Sequence, residues 1–131
     1  MSEEAKNETP FYDPDPITMP VLALRGLVVY PKMMVHFDVG REASIKALDE
    51  AMASGSPVFL VTQKDIADDD PDQSQLYSVG VVAKIRQVLK LPGDSLRVLV
   101  EGIYRARLDT ITQTEPFLLC VSRECPEIRI T

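Results

Sequence analysis

Pro20-Val-Leu-Ala-Leu-Arg-Gly-Leu-Val-Val-Tyr-Pro31, followed by Val39-Gly40-Arg41-Glu42, is the stretch on which the reading of this chain turns. Two apolar, β-rich runs are punctuated by Arg25-Gly26 and by Tyr30-Pro31. Ile17 to Leu24 reads as a first strand, Arg25-Gly26 as a bend or bulge, and Leu27 to Tyr30 as a short apolar extension. Pro31 breaks the ladder because proline donates no strand hydrogen bond. Met33 to Val39 is a second strand, with Met33, Val35, Phe37 and Val39 on one face and Met34, His36 and Asp38 on the other.

Beyond Gly40 the period changes. Ile45, Leu48 and Met52, flanked by Ala47 and Ala51, form an apolar stripe on a helix over residues 41–54. Glu42 and Lys46 are spaced for an i,i+4 ion pair, and Gly55 stands where a left-handed residue would end the helix. Gly40 is expected to supply an unusual backbone angle before it. Residues 57–62 form a short, wholly apolar strand, buried on both faces. A polar loop over 65–75 carries Asp68-Asp69-Asp70-Pro71-Asp72. Residues 76–91 and 96–100 form a long hairpin about Pro92-Gly93, and strands over 103–112 and 117–123 complete the set. Many short strands with one substantial helix give a mainly β (α+β) fold, a barrel-like core capped by the helix.

The hairpin locates a candidate surface. If Leu91 opposes Leu96 across an even-length loop, Ala83, Ile85, Leu89 and Leu91 enter the core with Leu96, Val98 and Val100. Arg86 then faces Glu101, Lys90 faces Arg97, and Val88 faces Leu99 on the outer side. Val88 and Leu99, extended by Met34 and His36 if the strands are close, form a candidate apolar patch for partners. The alternative is that a second layer of the same domain covers Val88 and Leu99.

The bulk properties set further bounds. The chain has 131 residues, enough for one domain with a single core. Its net charge of −6 argues against the broad basic face that nucleic acid requires. No apolar run is long enough to span a bilayer, and the N-terminus lacks the pattern of a signal peptide, so the expected compartment is the cytoplasm. Residues 1–16 read as an acidic, proline-broken tail, residues 17–125 as the folded unit, and residues 126–131 as the start of a linker. Cys120 and Cys125 are read as reduced thiols. One histidine does not complete a usual zinc site, and the aspartates at 68–72 lack the spacing of a calcium loop. No phosphate-binding loop or nucleophile motif stands in the sequence. No catalytic residue, metal or cofactor is expected in the chain.

The opening stretch resembles the N-terminal, PUA-like domain of the ATP-dependent Lon protease family. Gln63-Lys64-Asp65, Val79-Gly80, Leu91-Pro92-Gly93-Asp94 and Val100-Glu101-Gly102 continue the resemblance over residues 19–124. It implies a PUA-like pseudo-barrel in which Pro20, Leu24, Arg25, Gly26, Pro31, Gly40, Arg41, Pro92 and Gly93 determine the fold. His36 departs from the proline or apolar residue usual in that family. The resemblance implies a non-catalytic domain that engages unfolded or damaged proteins and supports a hexamer. ATP, magnesium and the Ser-Lys peptidase would belong to further modules, so the chain reads as an excised domain or a truncated product. Alone it is expected to be a monomer or weak dimer. A stand-alone adaptor for a protein or small ligand is the alternative, and RNA binding a weaker one.

Overall fold

A computed structural model describes residues 15–67 and 71–125. The strands are β1 (Ile17–Leu24), β2 (Met34–Val39), β3 (Val58–Thr62), β4 (Val79–Lys90), β5 (Leu96–Gln113) and β6 (Leu119–Glu124), with one α-helix, α1 (Glu42–Ser54). They form one mixed sheet in the order β2-β5-β4-β3-β1-β6. A further β5–β6 pairing closes β1, β3, β4, β5 and β6 into a ring, the expected pseudo-barrel, and leaves β2 as a flap on the first half of β5. The proposed tail over 1–16 and linker over 126–131 lie, but for Asp15 and Pro16, outside the described residues, as do Asp68, Asp69 and Asp70.

Apolar side chains of β1 and β3 alternate between two cores. Met19, Val21, Phe59, Val61, Val82, Ala106, Leu108 and Cys120 come from all five ring strands and fill the ring. Leu22, Leu24, Val58, Leu60, Val81, Ala83, Val98 and Val100 pack on the other side of the sheet, under Ala47, Leu48 and Ala51 of α1. A strand buried on both faces needs a continuous apolar run rather than alternation, as residues 58–61 supply. Met52, read as part of the helical stripe, is instead exposed, and the buried stripe runs through Ala47, Leu48 and Ala51. The small alanines let the helix lie close to β1.

Three features differ from expectation. Leu27 to Tyr30 is not a strand; Val29 plugs the core while Thr62 Oγ1 donates to the Leu27 carbonyl at 2.8 Å. The segments expected at 96–100 and 103–112 are one strand, β5, which passes straight through Gly102. There the Tyr30 carbonyl crosses so closely that a Cβ on Gly102 would lie 2.4 Å from its oxygen. Finally, Gly40 has no positive φ; the left-handed residues of the described chain are Gly26, Lys32, Gly55 and Gly93. The sharp reversal before β2 is therefore made by Lys32 (φ 69°), where a hydrogen bond from Met33 N–H to the Tyr30 carbonyl closes the turn. Gly55 does end α1 in the left-handed conformation, its N–H bonded to the Ala51 carbonyl.

Candidate functional site

The hairpin register differs by one residue from that expected. Leu91 N–H donates to the Ser95 carbonyl at 3.0 Å, leaving a three-residue loop whose Gly93 has φ 82°. Odd loops with a left-handed glycine are a standard hairpin solution. Lys90 then pairs with Leu96, Leu89 with Arg97, Val88 with Val98 and Gln87 with Leu99. A second irregularity, at Arg86, puts Ile85 opposite Val100 and Lys84 opposite Glu101. Because a one-residue slip exchanges faces, Val88 packs partly buried on the helix-side core, while Leu89 stands 49% exposed. The assignment of Val88 to the outer face is thus corrected, and Leu89 replaces it.

The other three residues singled out do converge. Strand β2 lies antiparallel beside β5, with Met34 opposite Glu101, His36 opposite Leu99 and Asp38 opposite Arg97. Paired residues share a face, so Met34, His36 and Leu99 line one surface with Gln87 and Leu89 of β4. Met34 is 53% exposed and Leu99 half-buried among its neighbours. The opposite side chains of β2, Val35 and Phe37, pack against the core, as the alternation requires.

Two ion pairs brace this surface. Arg86, the bulged residue, reaches diagonally to Glu101, its Nε donating to Oε1 at 2.8 Å. The pairing of Arg86 with Glu101 therefore forms without the two being direct partners. Arg97 turns from the hairpin to β2, where its Nε donates to Asp38 Oδ1 at 2.8 Å and a second nitrogen to Oδ2 at 3.3 Å. The hydrogen bond from Arg97 lowers the Asp38 pKa below the usual carboxylate value, and the same bond raises that of Arg97. The paired residues on either side of Leu99 are thus charged and tied to one another, and Leu99 itself is partly buried between them.

The residues read as fold-determining sit mostly at chain turns and junctions. Pro20 and Leu24 are buried in β1, and Arg25-Gly26 makes the bend after it. Pro31 precedes the Lys32 turn, and Pro92 with Gly93 forms the hairpin tip. Arg41 precedes α1 without capping it through its side chain; it donates instead to the Ala23 carbonyl at 2.8 Å, fastening the helix start to β1. Two glycines outside that set matter more for packing. A Cβ on Gly80 would lie 2.3 Å from the Leu60 carbonyl oxygen, and Gly102 is equally crowded. Their place in Val79-Gly80 and Val100-Glu101-Gly102 was the available sequence signal.

No group of three or more metal-ligating side chains occurs among the described residues. Asp72 is occupied locally, accepting from Ser74 N–H at 3.0 Å and from Ser74 Oγ at 2.7 Å at the start of a short 3-10 turn. The Ser74 hydroxyl bond is the main cause of its lowered pKa. Cys120 and Cys125 are free thiols; burial, helped by the charge of Asp109, pushes Cys120 up to about 12. A thiol so raised is a poor nucleophile.

Comparison with known proteins places this geometry. Residues 18–129 match the family described as ATP-dependent protease La (LON) substrate-binding domain. The chain is 50% identical over 100 residues to a Lon protease of Clostridium acetobutylicum, covering 76% of this chain and 13% of that protein. It is 46% identical over 100 residues to Lon protease 1 of Bacillus subtilis, again 76% of this chain and 13% of the relative. The chain thus spans about 13% of the length of these relatives. Among solved structures, an N-terminal domain of Mycobacterium avium complex Lon protease superposes with a TM-score of 0.70 at 26% identity, over 88% of this chain and 58% of that one. A Lon N-terminal domain protein from Xanthomonas campestris shares the fold, with a TM-score of 0.65 at 14% identity over 84% and 60% of the two chains. With the opening motifs, the ring topology and the family match in agreement, this chain belongs to the substrate-binding domain family of the ATP-dependent Lon proteases.

Proposed function

We propose that this domain engages unfolded or damaged protein segments through the outer face of β2, β5 and the tip of β4, with Met34, His36 and Leu99 as contact residues and Leu89 beside them. The observation that carries this reading is the convergence of Met34, Leu99 and Leu89 on one face, beside His36 and between the Arg86–Glu101 and Arg97–Asp38 ion pairs. Apolar side chains brought to one face by strand pairing call for a partner more than singly scattered ones do. Covering ~100 Å² of such apolar surface would contribute roughly 2.5 kcal/mol at about 25 cal/mol per Å². Affinity of that size suits transient sampling of many segments, and methionine adapts its shape to irregular partners.

On this reading the domain works as the recognition part of a longer protease in the cytoplasm, where it also supports assembly of a hexamer. ATP, magnesium and peptide-bond hydrolysis belong to other modules of that protein. No described helix is long and apolar enough to cross a membrane.

The test is a nuclear magnetic resonance titration of the chain with a reduced, alkylated protein that does not refold. Amide shifts should cluster on residues 34–38, 87–89 and 97–101, and the native form of the same protein should produce none. Leu99→Glu should abolish the shifts while leaving the spectrum folded. Shifts elsewhere, or unchanged binding by a folded Leu99→Glu variant, would remove this face from the account.

A further inference from the structure

β2 ends the sheet: β5 lies along one side of it, and no described strand pairs with the other. The phase of the β2–β5 ladder determines which backbone groups face that open side. Gly102 N–H donates to the Met33 carbonyl at 2.9 Å, which places the hydrogen-bonded pairs at odd-numbered residues of β2. Alternation in an antiparallel ladder then turns the N–H and C=O of Met34, His36 and Asp38 away from β5. These are the residues whose side chains lie on the outer face. The same three residues therefore offer side chains to one surface and backbone groups to the adjoining edge.

Edge strands are commonly blunted by proline, lysine or a bulge. The sequence Met34-Val-His-Phe-Asp-Val39 holds no proline and no lysine, and its pairing with β5 has no register shift. Beside this edge, on the core side, opens a cleft of about 320 Å³ whose lining includes Leu24, Leu27, Phe37, Val39 and Arg41.

The geometry points to β2 as a β-augmentation site for an extended polypeptide segment, which adds as a further strand along Met34, His36 and Asp38. The occupant follows from complementarity. Alternating partial charges of outward N–H and C=O groups are matched by an extended backbone and by no folded helix. Successive side chains of the added strand would alternate between the outer face and the opposite side, so the row that meets Met34 and Leu99 carries apolar residues two apart. This rests on the outer-face reading above and deepens it: the outer face selects apolar character, and the edge selects an extended, unfolded backbone. It also supplies a physical reason for ignoring folded proteins, whose backbone groups are already paired.

The probe is a ten-residue synthetic peptide in which Val and Leu alternate with Thr and Lys, titrated into the intact chain. Two further versions carry N-methyl groups at alternate residues, one on each edge of the extended peptide. Augmentation predicts that one N-methylated version binds at least about tenfold more weakly, from up to three lost hydrogen bonds, while the other binds like the parent. Amide exchange at Met34, His36 and Asp38 should slow in the bound state. His36→Pro, which removes an outward N–H and none that bonds to β5, should weaken the parent peptide while the fold is kept.

Equal binding of both methylated versions would overturn augmentation, and loss of binding in Leu99→Glu would then leave the outer face as the whole site. Edge-selective methylation with unaltered binding by Leu99→Glu would keep augmentation and refute the outer face. No binding of the parent peptide, or a dimer in sedimentation whose β2 edge is already protected, would overturn the proposal.

Discussion

β3 and the outer half of the β4–β5 hairpin are both rich in apolar residues, yet they serve opposite ends. Val58, Phe59, Leu60 and Val61 are all within 2% of full burial, shared between two cores. The hairpin presents a core to one side and water to the other. In β3 every side chain reports on stability and none on function. On the proposed reading the two faces of the hairpin separate those roles, so the register decides which residue does which. Function here is legible only where a strand is half-buried.

The largest expected effect belongs to the doubly buried region. Phe59→Ala empties the ring of its largest fully buried side chain and should destabilise by about 3–5 kcal/mol in urea unfolding. Gly102→Ala, at the point where β5 leaves one core for the other, should cost about 1–3 kcal/mol by forcing the Tyr30 backbone away. A Gly102→Ala variant as stable as the parent would show that the Tyr30 crossing yields readily.

The pair Val88 and Leu99 probes the hairpin directly. Val88→Glu should lower the unfolding midpoint by sending a carboxylate into the helix-side core, whereas Leu99→Glu should move it much less while abolishing peptide binding. The reverse order would mean that the two faces are exchanged. A pH effect in the ring is confined to the alkaline range. Because Cys120 has its folded pKa raised by burial to about 12, it favours the folded state below its unfolded value near 9. That contribution fades as pH rises from about 9 toward 12, where the unfolded chain releases the proton first. Cys120→Ala should therefore show a shallower loss of stability than the parent over that alkaline range, measured by denaturant midpoints.

Much of the architecture was readable from local chemistry. The bounds of β1, the opposed faces of β2 and the glycine end of α1 follow from proline, period and left-handed glycine, which act over a few residues. Three of the four candidate contact residues, Met34, His36 and Leu99, do share a surface, because β2 docks in register on β5. Val88 was misplaced, since Arg86-Gln87 carries no local mark of a bulge. Gly40 was overread, since the strained turn falls on Lys32, a residue type that rarely advertises one.

Residue order alone dictated the apolar runs, the glycine end of the helix and the family to which the domain belongs, because each is carried by local sequence pattern. Which hydrophobes reach water was settled by long-range pairing. A bulge of one residue in β4 reverses two faces at once, and its cost is judged against partners on β5 some fifteen positions away. The open edge of β2 is of the same kind: a strand is an edge only by virtue of where every other strand has gone.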